Sequence, residues 1–137
     1  MSKFSSKSLK LLDTCDTQLQ FIFKEVIKHY DCTVLYGYRS KEEQDELFRL
    51  GRSKLEGGKS KHNKNPSLAV DVSPYPIPDN WGDKNWKERA KFYHFAGYVK
   101  AIADKMNIKI RWGGDWSSNN DFDDQSWDDL VHFEILY

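Results

Sequence analysis

The sequence predicts an α+β fold in which helices pack on a small, mainly antiparallel sheet. Two segments repeat apolar residues at three- and four-residue steps, the period of a helix that is buried on one side, and a third segment begins with the spacing of a capping box. Short β-branched and apolar segments lie between and after these helices, as expected of strands. The chain has 137 residues and no repeat, low-complexity tract or linker. We therefore expect residues 1–137 to form a single domain with one core.

The first predicted elements are a helix and a strand. The helix begins after Asp13 or Asp16, where apolar residues start to recur at helical spacing. The segment from Cys32 to Tyr36 is short, apolar and β-branched, which predicts a strand. Gly37 then allows the backbone to turn. The apolar stripe of the helix consists of Leu19, Phe23, Val26, Ile27 and Tyr30.

A second helix is predicted directly after this turn. Ser40 and Glu43 have the spacing of a capping box, in which each side chain accepts a hydrogen bond from the backbone of the other residue. Leu47 and Phe48 are expected to face the core, and Gly51 is expected to end the helix.

Loops and strands make up most of the remaining chain. Residues 52–66 are polar, basic and contain glycine, so we expect a surface loop, followed by a strand over 68–72. Prolines 74, 76 and 78 are expected to prevent regular structure beyond that strand. Two more strands are predicted over 108–112 and 131–136, joined by a long polar loop over 113–127.

The third predicted helix is the longest. Asn85 and Glu88 can cap its start, and its apolar pattern continues to about Met106. At 3.6 residues per turn the apolar residues form one stripe, which we expect to face the sheet. This stripe consists of Phe92, Phe95, Ala96, Val99, Ile102, Ala103 and Met106.

Composition excludes several classes of function. The 21 basic and 21 acidic residues balance, so no general electrostatic attraction to nucleic acid or an anionic membrane is expected. The mean hydropathy of −0.77 and the lack of a long apolar run argue against membrane insertion and against a signal peptide. We expect a monomer that is synthesised in the cytoplasm, with Cys15 and Cys32 as reduced thiols.

Two histidines and one aspartate are candidate ligands of a single zinc ion. His62 and Asp71 flank the start of a predicted strand, and His132 lies on the last strand. Three nitrogen or oxygen ligands with one open position are what a hydrolytic zinc site needs, because bound water then has a pKa of about 7. Taken singly, His62 could be solvated, Asp71 could cap a turn, and His132 could be a hydrogen-bonded core residue.

Strand geometry favours the joint interpretation. Asp71 leaves its strand on the face opposite the apolar residues, where a carboxylate buried alone would be costly and a cation would offset that cost. His132 and Glu134 share one face of the last strand, whereas Asp129 is an odd number of steps away. Asp129 must therefore precede the regular strand or lie at a bulge in order to face the same way.

These motifs together resemble the zinc peptidases of the D-Ala-D-Ala dipeptidase and carboxypeptidase group, most closely the phage endolysins that are L-alanyl-D-glutamate peptidases. The resemblance covers nearly the whole chain. In many members the first histidine and the aspartate are separated by six residues, whereas eight separate them here. The motifs that carry the resemblance are Gly37-x-Arg39, Ser60-x-His62, Ala69-x-Asp71, Arg111-Trp-Gly-Gly-Asp-Trp116 and Asp129-x-x-His132-Phe-Glu134.

The resemblance implies a hedgehog/D,D-peptidase-like zinc peptidase fold and a role for each motif residue. One Zn²⁺ per chain would be held by His62, Asp71 and His132. Asp129 would be the general base, and Arg39 would stabilise the charge that develops on the substrate carbonyl.

Supporting roles are less specific. Glu134 could orient a ligating histidine, contact the metal or form an ordinary salt bridge, and Ser60 is a second candidate for supporting the ligands or contacting substrate. The cations Arg39, Lys59, Lys61 and Lys64 would suit an anionic peptide, although lysines in a loop are usually just solvated. The tryptophans that could stack on peptide or sugar are Trp81, Trp86, Trp112, Trp116 and Trp127, of which Trp112 is expected in the core.

The substrate implied by the resemblance is the stem peptide of bacterial peptidoglycan, cut between L-Ala and D-Glu. Such an enzyme would lyse the host after release from the cytoplasm to the cell wall. One alternative is a D,D- or L,D-carboxypeptidase on the same scaffold, and another is a non-catalytic wall-binding zinc domain. Asp129 and Arg39 argue against the last, because a structural site needs neither a base nor a carbonyl clamp.

A second metal site is a separate hypothesis. Oxygen-bearing side chains occupy every second position of the acidic loop, as in the first half of a calcium-binding loop. The match is partial, since Asn120 replaces the expected glycine and no glutamate follows at the twelfth position. A polar loop without calcium is the ordinary alternative. The candidate ligands are Asp115, Ser117, Asn119, Asp121 and Asp123.

Overall fold

A computed structural model describes residues 1–79 and 85–137 and confirms the α+β fold. The strands form one four-stranded antiparallel sheet, in the order β1-β2-β4-β3. A 3₁₀ turn at Lys61–Asn63 precedes β2. The elements are α1 (Ser6–Leu12), α2 (Thr17–Val26), β1 (Cys32–Tyr36), α3 (Lys41–Arg49), β2 (Ala69–Pro74), α4 (Trp86–Lys105), β3 (Ile110–Gly113) and β4 (Asp129–Ile135).

The core lies between one face of the sheet and the helices α2 and α4. Phe133 on β4 is fully buried, and its ring meets those of Phe23 and Phe95 edge to face at centroid distances of 5.4 and 6.1 Å. Such contacts add to the free energy gained by removing aromatic surface from water. Cys15 and Cys32 are buried free thiols, and burial raises the pKa of each to about 12.

The predicted helix starts are largely confirmed. Of the two possible starts of α2, the structure has Asp16, whose carboxylate accepts a hydrogen bond from the backbone N–H of Gln18. Ser40 and Glu43 form the predicted capping box of α3. Asn85 caps α4, as the sequence indicated. None of the described helices is both long and apolar enough to cross a membrane.

Two predicted core positions are wrong, because Phe48 is 43 % exposed and Met106 is 36 % exposed. Helix α3 instead buries Gln44, whose amide donates hydrogen bonds to Ser53 Oγ and to the carbonyl of Leu55. The helix is therefore attached to the rest of the protein by a polar network rather than by an apolar stripe.

Helix α1 was not predicted from the sequence. It is seven residues long, too short to be stable alone, and it is held by its contacts with β1. The Ser8 hydroxyl accepts a hydrogen bond from the backbone N–H of Val34 and lies 3.2 Å from Thr33 Oγ1. A side-chain hydroxyl thus joins the helix to the edge of the sheet.

Strand β1 has the predicted boundaries, Cys32–Tyr36, whereas the boundaries of β2, β3 and β4 differ by one to two residues from those predicted. Pro74 is the last residue of β2, which is compatible with its missing N–H because a strand end needs no further ladder bond. On β4 the strand starts at Asp129 rather than at residue 131. The pairing with β3 is irregular there, since Trp112 faces Phe133 but the next residue, Gly113, faces Asp129. This irregularity fixes the direction of Asp129.

Replacing Gly113 with alanine should be strongly destabilising. A Cβ atom at this position would overlap the carbonyl oxygen of Asp129, which belongs to the paired strand and cannot move freely. We expect a loss of about 1–3 kcal/mol, the usual cost of overpacking, measured by chemical denaturation. Gly97→Ala is the matched control, because nothing lies within 4 Å of its Cβ position and alanine favours a helix. An unchanged free energy of unfolding in Gly113→Ala would contradict the close approach.

Candidate metal centre

The three predicted zinc ligands come together on the face of the sheet opposite the core. Asp71 on β2 pairs with His132 on β4, and the 3₁₀ turn brings His62 over the same two strands. The Oδ1 atom of Asp71 lies 3.1 Å from His62 Nε2 and 3.3 Å from His132 Nδ1. All three residues are buried, and their ligand atoms lie within 4.8 Å of one another.

His62 is buried although it lies in the segment predicted to be a surface loop. Ser60 caps the 3₁₀ turn, and its hydroxyl accepts a hydrogen bond from the His62 backbone N–H. The Nδ1 atom of His62 is 2.8 Å from the carbonyl oxygen of Gly37. Because a carbonyl can only accept, Nδ1 carries a proton and donates it, which leaves Nε2 facing Asp71 and able to bind a metal when it is unprotonated. Ser60 therefore supports the ligand's backbone.

His132 has the opposite arrangement of its two ring nitrogens. Its Nε2 lies 2.8 Å from Glu134 Oε1, and its Nδ1 faces Asp71. Glu134 is in turn held by Lys61 Nζ at 3.0 Å and by Arg111 Nη2 at 2.9 Å. A bound cation would displace the proton from Nδ1, and with the other proton kept on Nε2 the Nδ1 lone pair would bind the metal.

The electrostatics of the cluster favour ionised carboxylates. Burial alone raises the pKa of Asp71, but the two histidines hold it well below its usual range. Burial alone lowers the pKa of His132, but hydrogen bonds to Asp71 and Glu134 raise it to about 9. Burial raises the pKa of Glu134, but the hydrogen bond with His132 and the contact with Lys61 lower it to about 2. The buried cluster therefore has a strong preference for positive charge beside Asp71.

Asp129 stands beside the three ligands without joining them. Its Oδ2 lies 3.9 Å from His132 Nδ1, and its side chain is 30 % exposed. The strand irregularity at Gly113 provides the bulge that the sequence required for this orientation. Burial and the negative charge of Asp71 raise the pKa of Asp129 to about 6. A carboxyl group with this pKa can accept and return a proton near neutral pH.

Arg39 lies on the other side of Asp71. Its Nη2 is 3.6 Å from Asp71 Oδ2, and its Nη1 donates to Gln44 Oε1 at 2.8 Å. The guanidinium also lies over the Tyr36 ring, 4.7 Å from its centroid. Its Nε is buried and has no hydrogen-bond partner in the part of the chain that the structure describes. Arg39 is thus fixed in position by surrounding residues, not solvated at a helix start.

A cleft of about 410 Å³ opens over the cluster. Trp116 and Trp127 stack in parallel at 5.9 Å and form one wall, and Trp116 also lies 5.5 Å from the His132 ring. The loop after α3 also lines the cleft, and its Lys54 Nζ lies 5.2 Å from the centroid of the Trp127 ring. The three clustered residues, Asp129 and Arg39 all line this cleft. The other lining residues are Tyr36, Leu47, Arg52, Ser53, Leu55, Lys59, Ser60, Lys61, Arg111 and Glu134.

Several other residues that the sequence suggested as substrate contacts do not line the cleft. Trp112 is buried in the core as expected, and Trp86 is exposed on α4 away from the cleft. Lys64 is absent from the lining of the cleft, and Trp81 lies outside the described residues. The sequence analysis did not identify the ion pair between Arg111 and Glu134, although these residues are opposite each other in the register of β3 and β4.

The acidic loop uses its oxygens for its own backbone. Asp115 is fully buried, and its carboxylate accepts hydrogen bonds from the backbone N–H groups of Asn119 and Asn120. Asn119 and Asp121 cap the backbone two residues ahead in the same way. Among residues 1–79 and 85–137, only His62, Asp71 and His132 bring three possible metal-binding side chains together. The carboxylates of Asp115, Asp121 and Asp123 do not converge.

The donor set fits a divalent metal ion. Two neutral imidazoles and one carboxylate are a common set for catalytic zinc, and each histidine has its second nitrogen engaged, as ligating histidines usually do. Three ligands at the base of an open cleft leave room for substrate. An α+β fold with two histidines and one carboxylate at the base of an open cleft is typical of a metal-dependent hydrolase.

Comparison with known proteins assigns the chain to a family within that class. It belongs to the phage L-alanyl-D-glutamate peptidase family, whose model matches residues 1–136. It is 28 % identical over 126 residues to the L-alanyl-D-glutamate peptidase of Escherichia phage T5, covering 90 % of this chain and 88 % of that protein. It is also 28 % identical over 109 residues to the peptidoglycan L-alanyl-D-glutamate endopeptidase CwlK of Bacillus subtilis, covering 69 % of this chain and 59 % of the relative.

A solved structure shows the same fold. The L-Ala D-Glu endopeptidase ChiX of Serratia marcescens matches with a TM-score of 0.70 at 23 % sequence identity. The match covers 98 % of this chain and 91 % of that structure. The family that the sequence motifs resembled is confirmed by the family model, which matches residues 1–136.

Proposed function

We propose that residues 1–137 form one catalytic domain, a zinc-dependent endopeptidase that cuts the L-Ala–D-Glu bond of peptidoglycan stem peptides during phage lysis. One observation carries this proposal: a buried three-residue metal cluster, a separate carboxylate and a fixed arginine all line a single cleft. The names of the relatives supply the bond and the polymer. The enzyme would be synthesised in the host cytoplasm and would act on the cell wall only after its release from the cytoplasm. It would act as a monomer.

Each residue of the cluster has a distinct task in this reaction. His62 Nε2, His132 Nδ1 and a carboxylate oxygen of Asp71 would hold the metal. Bound Zn²⁺ would polarise the scissile carbonyl and make a water molecule more acidic. Asp129 takes the proton from the attacking water and delivers it to the leaving amine of D-Glu.

Arg39 stabilises the negative charge that develops on the carbonyl oxygen. A guanidinium already oriented by Gln44 and Tyr36 needs little reorganisation when that charge appears. Its contact with Asp71 also lowers the cost of burying that carboxylate.

Glu134 positions His132 rather than binding the metal. Glu134→Ala should weaken Zn²⁺ binding about 10- to 100-fold, because it removes the acceptor that fixes the imidazole. Glu134→Gln retains an acceptor oxygen and should lose much less. Competition with a chromophoric chelator measures both affinities. Equal affinities in wild type and Glu134→Ala would assign Glu134 to an ordinary salt bridge.

Calcium binding by the acidic loop stays a prediction. The loop residues would have to exchange their backbone hydrogen bonds for an ion, as Asp115 now accepts from Asn119 and Asn120. This prediction is tested by titrating calcium while recording the NMR signals of the loop and the enzyme activity. If neither changes, the loop does not bind calcium.

Mass spectrometry of digested peptidoglycan tests the proposed bond. Purified protein with Zn²⁺ should release stem peptides that begin with D-Glu and leave L-Ala on the sugar. Loss of only a terminal residue would identify a D,D- or L,D-carboxypeptidase instead. Binding to the wall without any cleavage would identify a non-catalytic domain.

A further inference from the structure

One end of the cleft holds two cations around a single carboxylate. Arg111 Nη2 and Lys61 Nζ both contact Glu134 Oε2, at 2.9 and 3.0 Å. Glu134 is 5 % exposed and supplies one negative charge, so the group carries one excess positive charge. The side chains of Arg111 and Lys61 are 37 % and 33 % exposed, which leaves part of this charge open to the cleft.

Arg111 is held in place without using all of its hydrogen-bond donors. Its guanidinium lies 5.5 Å from the centroid of the Trp116 ring and is tied to Glu134 by Nη2. Its Nε is buried without a hydrogen-bond partner among residues 1–79 and 85–137, so the donors that can reach a ligand are those of the terminal nitrogens, of which Nη2 also binds Glu134. A planar, oriented guanidinium with unused donors is suited to binding a carboxylate and loses little freedom when it does so.

This guanidinium lies next to the reacting centre. One oxygen of Glu134 contacts Arg111 and the other contacts His132 Nε2 at 2.8 Å, so a single carboxylate separates the arginine from a metal ligand. Trp116 connects the same two residues, since its ring lies 5.5 Å from each. Along β4, Glu134 is two residues beyond His132, or about 7 Å.

The proposed substrate carries an anion close to the scissile bond. In a stem peptide, D-Glu continues the chain through its side-chain carboxyl group, which leaves its α-carboxylate free. That carboxylate is three bonds from the scissile carbonyl carbon, about 4 Å of covalent structure. Arg39 is a poorer partner for it, because both of its terminal nitrogens are engaged and its side chain is only 8 % exposed.

Building on the proposed function, we propose that Arg111, assisted by Lys61, binds the free α-carboxylate of the D-Glu residue that follows the scissile bond. The site would select peptides with D-Glu over those in which this group is an amide. An amide lacks the charge and presents an N–H₂ group where the guanidinium needs an acceptor. Arg111 is thus a specificity-determining residue.

Two synthetic stem peptides that differ only at this group test the proposal. One carries the α-carboxylate of D-Glu, and the other carries the α-carboxamide. Wild-type enzyme should cleave the carboxylate peptide with a kcat/KM about 10- to 100-fold higher, the usual range for a charged hydrogen bond. Arg111→Gln should bring this ratio close to one. Arg111→Lys should give an intermediate ratio, because lysine keeps the positive charge but lacks the planar pair of donors that matches a carboxylate.

Arg49→Gln is the matched control, because Arg49 is exposed on α3 and pairs with Glu46 outside the cleft. It should keep the wild-type ratio. Zinc content of each variant reports whether the metal site is intact independently of turnover. Equal cleavage of the two peptides by wild type, or a preference that survives in a folded Arg111→Gln, would overturn the proposal. If wild type cuts neither peptide between L-Ala and D-Glu, the proposed function itself fails.

Discussion

Asp129→Asn should abolish wall lysis while leaving the metal in place. Asparagine has nearly the same shape but cannot take a proton, so a general base is removed without a large change in packing. We expect kcat to fall about 10²- to 10⁴-fold, the usual contribution of such a group. Turnover of a stem peptide gives kcat, and metal analysis gives the zinc content, which should stay near one per chain.

Asp129 is separate from the three residues that would bind the metal, so its replacement should affect catalysis but not zinc content. Asp129 is 3.9 Å from His132 Nδ1 and is not needed to complete the three-residue cluster. Asp128→Asn is a suitable control, since the neighbouring carboxylate pairs with Arg89 and does not line the cleft. Retained lysis in Asp129→Asn would show that another group accepts the proton.

Replacing His132 with alanine should remove both the metal and the activity. The variant loses one of three ligands and leaves Asp71 and Glu134 buried with less compensating charge. We expect no measurable turnover and a zinc content far below one per chain. Isothermal titration with Zn²⁺ measures the lost affinity directly.

A histidine outside the cluster provides the control for this variant. His94 is exposed on α4 and packs against Tyr30 and Tyr98, so His94→Ala should keep wild-type zinc affinity and turnover. Chelation of the wild-type enzyme should reproduce the His132→Ala phenotype, and added Zn²⁺ should reverse it. Turnover that persists after exhaustive chelation would show that the chemistry does not require the cluster.

The clustering of His62, Asp71 and His132 could be predicted from sequence because strand geometry constrains two of them. Alternation along two strands puts Asp71 and His132 on the face opposite the core, and the family motifs add His62. The position of Asp129 also followed, since an odd number of residues from His132 required a bulge, which the structure contains at Gly113.

Features that depend on tertiary contacts were not predictable in the same way. Helix α1 is stable only through β1, and α3 is attached by the buried amide of Gln44, so neither has an apolar stripe that a sequence pattern reveals. The burial of His62 depends on the carbonyl of Gly37, which is distant in the chain. Arg111 gains its role only when β3 pairs with β4.

Anomalous diffraction from crystals soaked in Zn²⁺ examines the central claim most directly. The anomalous map from data collected above the zinc absorption edge should show one strong peak about 2.0–2.2 Å from His62 Nε2, His132 Nδ1 and an oxygen of Asp71. This peak should nearly vanish in data collected below the edge. Asp129 should lie beyond coordination distance with its carboxylate directed at the metal's open side. A fully soaked crystal with no peak there, or with the three side chains too far apart to share an ion, would contradict the assignment.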